Sequence, residues 1–193
     1  MEAWNALPDA PLGGGGTECA AFRALGCARY HEAARLVHEL PYGRNADRAD
    51  YRLVLPERRG TCSTKHALLA AVARELALPV SLTIGIYDLC EANTPGVGGV
   101  LAAHGLASLP EAHCYLRAGR HRIDVTRAGV AQAEPISRFH LEESIAPDQI
   151  GDYKVALHRR FLRRWLAERP ELALSLDALW SIREACIHAL DAR

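Results

Sequence analysis

The chain has 193 residues, 49% of them hydrophobic and 24% charged, with 23 basic side chains against 23 acidic ones. That length suits one domain with a real core, zero formal charge removes any whole-chain attraction to nucleic acid, and no apolar run approaches the ~20 residues of a membrane span. The first sixteen residues hold neither a basic block nor an apolar one, so a secretory signal is not expected, and the six cysteines read as reduced thiols of a cytoplasmic protein.

Residues 1–17, with two prolines and the run Gly13-Gly14-Gly15-Gly16, read as a flexible arm. No strand precedes those glycines and no Lys-Ser/Thr follows them, so they are not a phosphate-cradling loop. Residues 18–193 are expected to form a single domain. Between Glu18 and Leu40 the spacing of Phe22, Leu25, Leu36, Val37 and Leu40 predicts one or two amphipathic helices ending before Pro41. Tyr42 to Tyr51 is polar and turn-rich, and Tyr51 to Leu55 reads as a short extended segment closed by Pro56.

Gly60-Thr61 then opens a helix running to about Leu78, with Thr61 as N-cap, Leu68, Leu69, Val72 and Leu76 as its apolar face and Pro79 as its stop. Val80 to Leu89 alternates: Val80, Leu82, Ile84 and Ile86 on one side, Ser81, Thr83, Gly85 and Tyr87 on the other, which predicts a strand. Asn93 to Gly99 is a Gly/Pro-rich loop, placed to flank a cleft, and Val100 to Leu106 a short helix. Ala112 to Arg117 and His121 to Thr126 read as two strands joined by a turn at Ala118-Gly119. Beyond Pro135 the pattern is helical, from about Asp152 to Glu168 and from about Leu172 to Leu190, broken at Pro170.

Cys62 directly follows the N-cap, so it falls in the first helical turn, where unpaired N–H groups and the macrodipole favour an anion. Thiols so placed ionise early and react as thiolates, and Arg58 and Arg59 add positive charge nearby. A turn centred on Ala118-Gly119 with an even loop makes paired residue numbers sum to 237, which sets His113 opposite Asp124 on one face. A three-residue loop would put them on opposite faces. An imidazole and a carboxylate in that relation hydrogen-bond, fixing the tautomer and supporting an imidazolium.

Gly60-Thr61-Cys62-Ser63-Thr64-Lys65-His66-Ala67-Leu68-Leu69, then Glu111-Ala112-His113-Cys114-Tyr115-Leu116, then Arg122-Ile123-Asp124-Val125-Thr126 resemble the core of the transglutaminase-like superfamily. That family shows a Gly-x-Cys helix start, a His-Ala-Trp-like strand and an Asp-Pro/Thr strand end. The likeness spans roughly residues 36–130. Cys114 and Tyr115 stand where Ala-Trp is usual, and the tryptophan before the aspartate is missing. The resemblance implies that Cys62 is the nucleophile, His113 the general base and then acid, and Asp124 the residue orienting it. It further implies acyl transfer, with the Cys62 N–H and a second donor from upstream holding the oxyanion. Tyr42, Asn45 and Tyr51 are all candidates for that donor. No calcium site carries over.

Other features read as structural. His66 lies four residues beyond Cys62 on the same helix face and competes for the role of base. His31 and His38, seven apart, share a face without further ligands, and neither Cys-x-x-Cys nor His-Glu-x-x-His occurs, so no metal or other cofactor is expected. Cys19 and Cys27 read as packing residues. The basic run His158 to Trp165 reads as an amphipathic helix with Phe161, Leu162 and Trp165 inward and its arginines solvated. Arginine outnumbers lysine 21 to 2, which reads as compositional bias.

The expected architecture is therefore an α+β, papain-like core: a small antiparallel sheet carrying His113 and Asp124, surrounded by helices, with Cys62 at the start of a central one. The expected function is a thiol hydrolase or acyltransferase acting on a peptide-like or small acyl substrate, with amide hydrolysis favoured over transfer to an amine. The alternative is a transglutaminase-like domain that binds without turnover.

Overall fold

Leu7 and Leu12, set among prolines in a stretch that reads as loose, are 4% and 2% exposed. In the computed structural model, which describes residues 3–128 and 134–191, the N-terminal segment therefore lies against the body of the protein. Within the stretch read as an arm, described from residue 3 on, Trp4 packs on the core, the Leu12 N–H donates to the Ala28 carbonyl at 2.8 Å, and Pro11 bridges to Arg29. Burying two leucines offsets the cost of ordering so short a segment.

Two helices follow, α1 (Thr17–Ala24) and α2 (Tyr30–Glu39), bounded as their apolar spacing predicts. Tyr51–Leu53 is a single 3-10 turn continuing into α3 (Val54–Glu57), where an extended segment is expected from the sequence. Tyr51 and Val54, three residues apart, are both buried, and the Asp50 carboxylate accepts the Arg52 N–H at 2.9 Å. Helical winding satisfies both, and Pro56 falls in the first turn, where its missing N–H costs nothing.

The central helix α4 (Cys62–Glu75) is buried from Cys62 to Ala73: Ala67 to Ala73 are apolar all round, and the buried Lys65 and His66 before them are hydrogen-bonded. It stops short of Leu78 because the chain turns through Ala77 at φ +53° ahead of Pro79. Next come β1 (Val80–Leu89), α5 (Gly98–Ala103), β2 (Leu109–Ala118), β3 (His121–Ile123), β4 (Leu141–Ile145), α6 (Asp152–Ala167) and α7 (Leu176–Asp191). The fold is α+β, with one four-stranded antiparallel sheet ordered β3-β2-β1-β4.

As a central strand, β1 is covered on both faces, so its polar side is buried too. Leu82, Ile84 and Ile86, with Leu116, Cys114 and Ala112 across from them, join the cluster built around α4, α1 and α2. Thr83, Gly85 and Tyr87 pair with Tyr115, His113 and Glu111 on the other face. A second apolar cluster, containing Leu101, Leu162, Leu179, Ile182 and Cys186, joins α5, α6 and α7 to the end of the sheet where β1 finishes and β2 starts. Strand β4 lies in a region that reads as helical from the sequence. It pairs with β1 over five residues and carries Glu142 and Glu143 on an otherwise short edge.

Candidate active site

The β2–β3 hairpin turns through Gly119 and Arg120, with Gly119 at φ +56°, the positive φ that tight hairpin turns place on glycine. Paired numbers therefore sum to 239 and not to the expected 237: Leu116 faces Ile123 and Arg117 faces Arg122. The correction is an even one, so Asp124 stays on the His113 face. The ladder ends at Ile123, and the chain then curls so that Oδ1 of Asp124 accepts the backbone N–H of Thr126 at 2.9 Å and its hydroxyl at 2.5 Å. Held there, Oδ2 accepts Nε2–H of His113 at 2.7 Å.

With Nε2 committed to Asp124, Nδ1 is left on the side of the thiol, and the imidazole and the Cys62 sulfur act on each other's charge within one cavity. Cys62 is the first residue of α4, at the edge of the cavity that His113 also lines. Burial alone would raise the thiol, but the Lys154 ammonium and the His113 ring outweigh it and bring it down to about 6. His113 moves the other way. Burial disfavours its cation, yet Asp124 and the Cys62 sulfur hold its proton well above the ordinary histidine range. The Asp124 carboxyl stays far below the usual carboxylate range: the cost of burial is outweighed by the His113 charge and hydrogen bond, with the Thr126 hydroxyl adding to them. These shifts all favour a thiolate at Cys62 and an imidazolium at His113 beside the Asp124 carboxylate.

The other thiols differ. Burial and the Glu75 carboxylate push Cys19 up to about 12, burial pushes Cys186 up to about 11, and Cys27 and Cys114 are raised as well.

Cys62, His113 and Asp124 share one cavity of about 350 Å³, whose wall includes Asn93, Thr94 and Pro95. The loop from Asn93 to Gly99 thus flanks the cleft, and the Tyr87 hydroxyl meets that of Thr94 at 3.0 Å. Of the three upstream residues considered as the second oxyanion donor, Tyr42 lines this cavity. The other two are corrected. Asn45 spends its amide on Glu57 and the Arg59 carbonyl, at 2.9 and 3.0 Å, and the buried Tyr51 hydroxyl donates to Glu18 at 3.2 Å.

His66 does not compete for the base. Its Nδ1 meets the Cys62 carbonyl at 2.7 Å and its Nε2 accepts the Val125 N–H at 2.8 Å, so both ring nitrogens are used. The ring is buried, and desolvation brings it down to about 4, which keeps it neutral. Its neighbour Lys65, wholly buried, donates to the carbonyls of Leu40 and Thr126 at 2.6 and 2.8 Å. Consecutive residues of α4 therefore clamp the segment that carries Asp124.

Three site residues escape a reading of the sequence. Lys154 on α6 reaches the cavity and donates to the Ser63 hydroxyl at 2.7 Å. Glu111, two positions before His113 on β2, forms a two-pronged ion pair with Arg183 of α7 at 2.5 and 2.7 Å. Nothing local in the sequence marks these, since each depends on a contact with an element at least 72 residues away. The basic run on α6 is a structural face: Leu162 and His158 are buried, His158 meets the Pro110 carbonyl at 2.9 Å, and Arg160, Arg163 and Arg164 are exposed. Among the described residues no group of three or more His, Cys, Asp or Glu is placed to hold a metal ion. No described helix is long and apolar enough to cross a membrane. Compared with known proteins, the chain matches no family model, no curated protein and no solved structure.

Proposed function

We propose that this protein is a transglutaminase-like enzyme with a papain-like core, in which Cys62 attacks an acyl carbon, His113 moves the proton and Asp124 orients His113. The observation that carries the reading is the His113–Asp124 hydrogen bond at 2.7 Å facing the same single cavity as Cys62, the first residue of a buried helix.

In the first step the sulfur bonds to the carbonyl carbon and the carbonyl π electrons move to oxygen. The Cys62 N–H, free of an intrahelical acceptor at the first turn, supports that charge. Collapse breaks the bond to the leaving group, which departs with the proton from His113. Neutral His113 then takes a proton from water, the hydroxide oxygen bonds to the acyl carbon, and the carbon–sulfur bond breaks to restore the thiolate. Amide hydrolysis is favoured over transfer to an amine, and a cavity of this volume accommodates a peptide side chain or a small acyl compound. The same reading sets the protein in a reducing compartment such as the cytoplasm, where a thiolate persists.

The test is intact-mass analysis after brief exposure to a panel of amide, ester and thioester acyl donors. An acyl adduct on Cys62 that then clears to free acid, and that Cys62→Ala lacks, supports the proposal. If no donor in the panel modifies Cys62 or turns over, the non-catalytic reading takes its place.

A further inference from the structure

Only two of the 23 basic residues are lysines, and both are buried at this site: Lys65 entirely and Lys154 with 8% exposure. In a chain that uses arginine almost everywhere else, these are positions where a compact ammonium does what a guanidinium fork does not. Lys65 is accounted for by two carbonyls. Lys154 is not. Its ammonium has three donors, and Ser63 Oγ, which also lies 3.9 Å from the Cys62 sulfur, is its one hydrogen-bond partner among the described residues.

The carboxylates around it are already committed. Glu111 is held by Arg183, and Asp124 by His113 and Thr126. Among the cavity's cations, Arg44 pairs with Glu184. That leaves Lys154 at depth, half-buried Arg127 over the Tyr42 ring at 5.0 Å and exposed Arg48 without a carboxylate partner among the described residues, against Glu134 alone. In the resting enzyme the Cys62 thiolate offsets Lys154. Once the sulfur is acylated that charge is gone, while a buried ammonium still calls for an anion.

Resting on the reading of Cys62 as nucleophile, we infer that the acyl group it takes is itself anionic. A carboxylate within a few bonds of the reacting carbonyl, as in an aspartyl or glutamyl amide, pairs with Lys154, and Arg127 and Arg48 draw it in. The substrate class is thus an acidic acyl donor, selected by charge at the floor of the cavity.

Two alkylating agents of the same size test this without a known substrate. Iodoacetate and iodoacetamide both form a bond from Sγ to the methylene carbon as iodide leaves with the bonding pair. They differ in carrying a carboxylate or a neutral amide. Rates at Cys62 are read by peptide mass at pH 9 and low salt, where the thiolate is fully formed, with glutathione as the reference thiol. The expected ratio of iodoacetate to iodoacetamide rates at Cys62 is about tenfold or more above that for glutathione, as a charged cleft produces. In Lys154→Met it falls to the glutathione value, and in Arg48→Gln it falls part of the way. A wild-type ratio equal to that of glutathione overturns the inference, whatever the variants do, and so does a high ratio that survives in Lys154→Met. If Cys62 instead reacts with both agents no faster than the other thiols at pH 6–7, the nucleophile reading itself falls.

Discussion

Nε2 of His66 accepts the backbone N–H of Val125 at 2.8 Å, and that bond ties the helix of Cys62 to the segment of Asp124. Because the other ring nitrogen donates to the Cys62 carbonyl at 2.7 Å, one neutral imidazole fixes the distance between Cys62 and Asp124. His66→Ala leaves the Val125 N–H unmet, at a cost of about 1–3 kcal/mol. It is expected to lower kcat far more than it raises KM and to move the Cys62 thiol back toward its ordinary value. His66→Gln, whose side-chain carbonyl can accept the same N–H, is expected to restore part of both. Equal losses in the two variants would assign His66 to packing alone.

The same residue shapes the acid limb of stability. Folded His66 titrates at about 4, against about 6.5 in the unfolded chain. Between those values the unfolded state binds the extra proton, so stability falls as pH drops from about 6.5 through 4. Glu111, held at about 2 by Arg183 despite its burial, extends the loss further: its contribution is present above about 4.3 and fades as pH falls toward 2. Urea unfolding at pH 7, 5.5 and 4.5 should show the first decline in the wild type and a flatter profile in His66→Gln. Parallel profiles would contradict the neutral, buried assignment.

Glu111 and Arg183 join β2 to α7 beneath the cavity, and neither has solvent to fall back on, with side chains 5% and 13% exposed. Arg183→Met strands a buried carboxylate and is expected to cost about 3–5 kcal/mol. In the double variant Glu111→Leu with Arg183→Met no charge is stranded, and more than half of that loss should return. Additive losses in a double-mutant cycle would show that the two residues do not act as a pair.

Gly85 stands directly across from His113 in the β1–β2 ladder. A Cβ there would lie 2.3 Å from Cδ1 of Phe139 and 3.0 Å from Cε1 of Tyr115, the ring stacked on His113. Gly85→Ala is expected to cost about 1–3 kcal/mol through overpacking and to slow Cys62 alkylation at pH 6–7 by shifting His113. Adding Phe139→Leu should recover stability, since the clash is with that ring's edge. No recovery would place the strain elsewhere.

The contrast between α4 and Lys154 shows what a sequence carries about this site. The start of α4, the span of β1 and the pairing of His113 with Asp124 are written in residues near one another, through a cap, a strict alternation and a two-residue turn. Even there the register came out two residues away, because a turn centred on Ala118-Gly119 and one on Gly119-Arg120 satisfy the same alternation. Lys154 and Arg183 are polar residues on amphipathic helices, where the ordinary expectation is a solvated face. Only the docking of α6 and α7 turns them inward. Strand β4 is not legible in the sequence because Glu142 and Glu143 suit a helix in isolation, and its pairing with β1 outweighs that preference. Leu7 and Leu12 were hidden by the glycine and proline around them.

The most direct measurement is the rate of Cys62 carboxamidomethylation as a function of pH, in the wild type and in Asp124→Asn. If Cys62, His113 and Asp124 form one ionised chain, the wild-type rate rises through a midpoint near 6, ahead of the other five thiols, and the Asn variant shifts that midpoint upward. A wild-type midpoint near 8.5, the value of an unperturbed thiol, or a midpoint unmoved by Asp124→Asn, would contradict it.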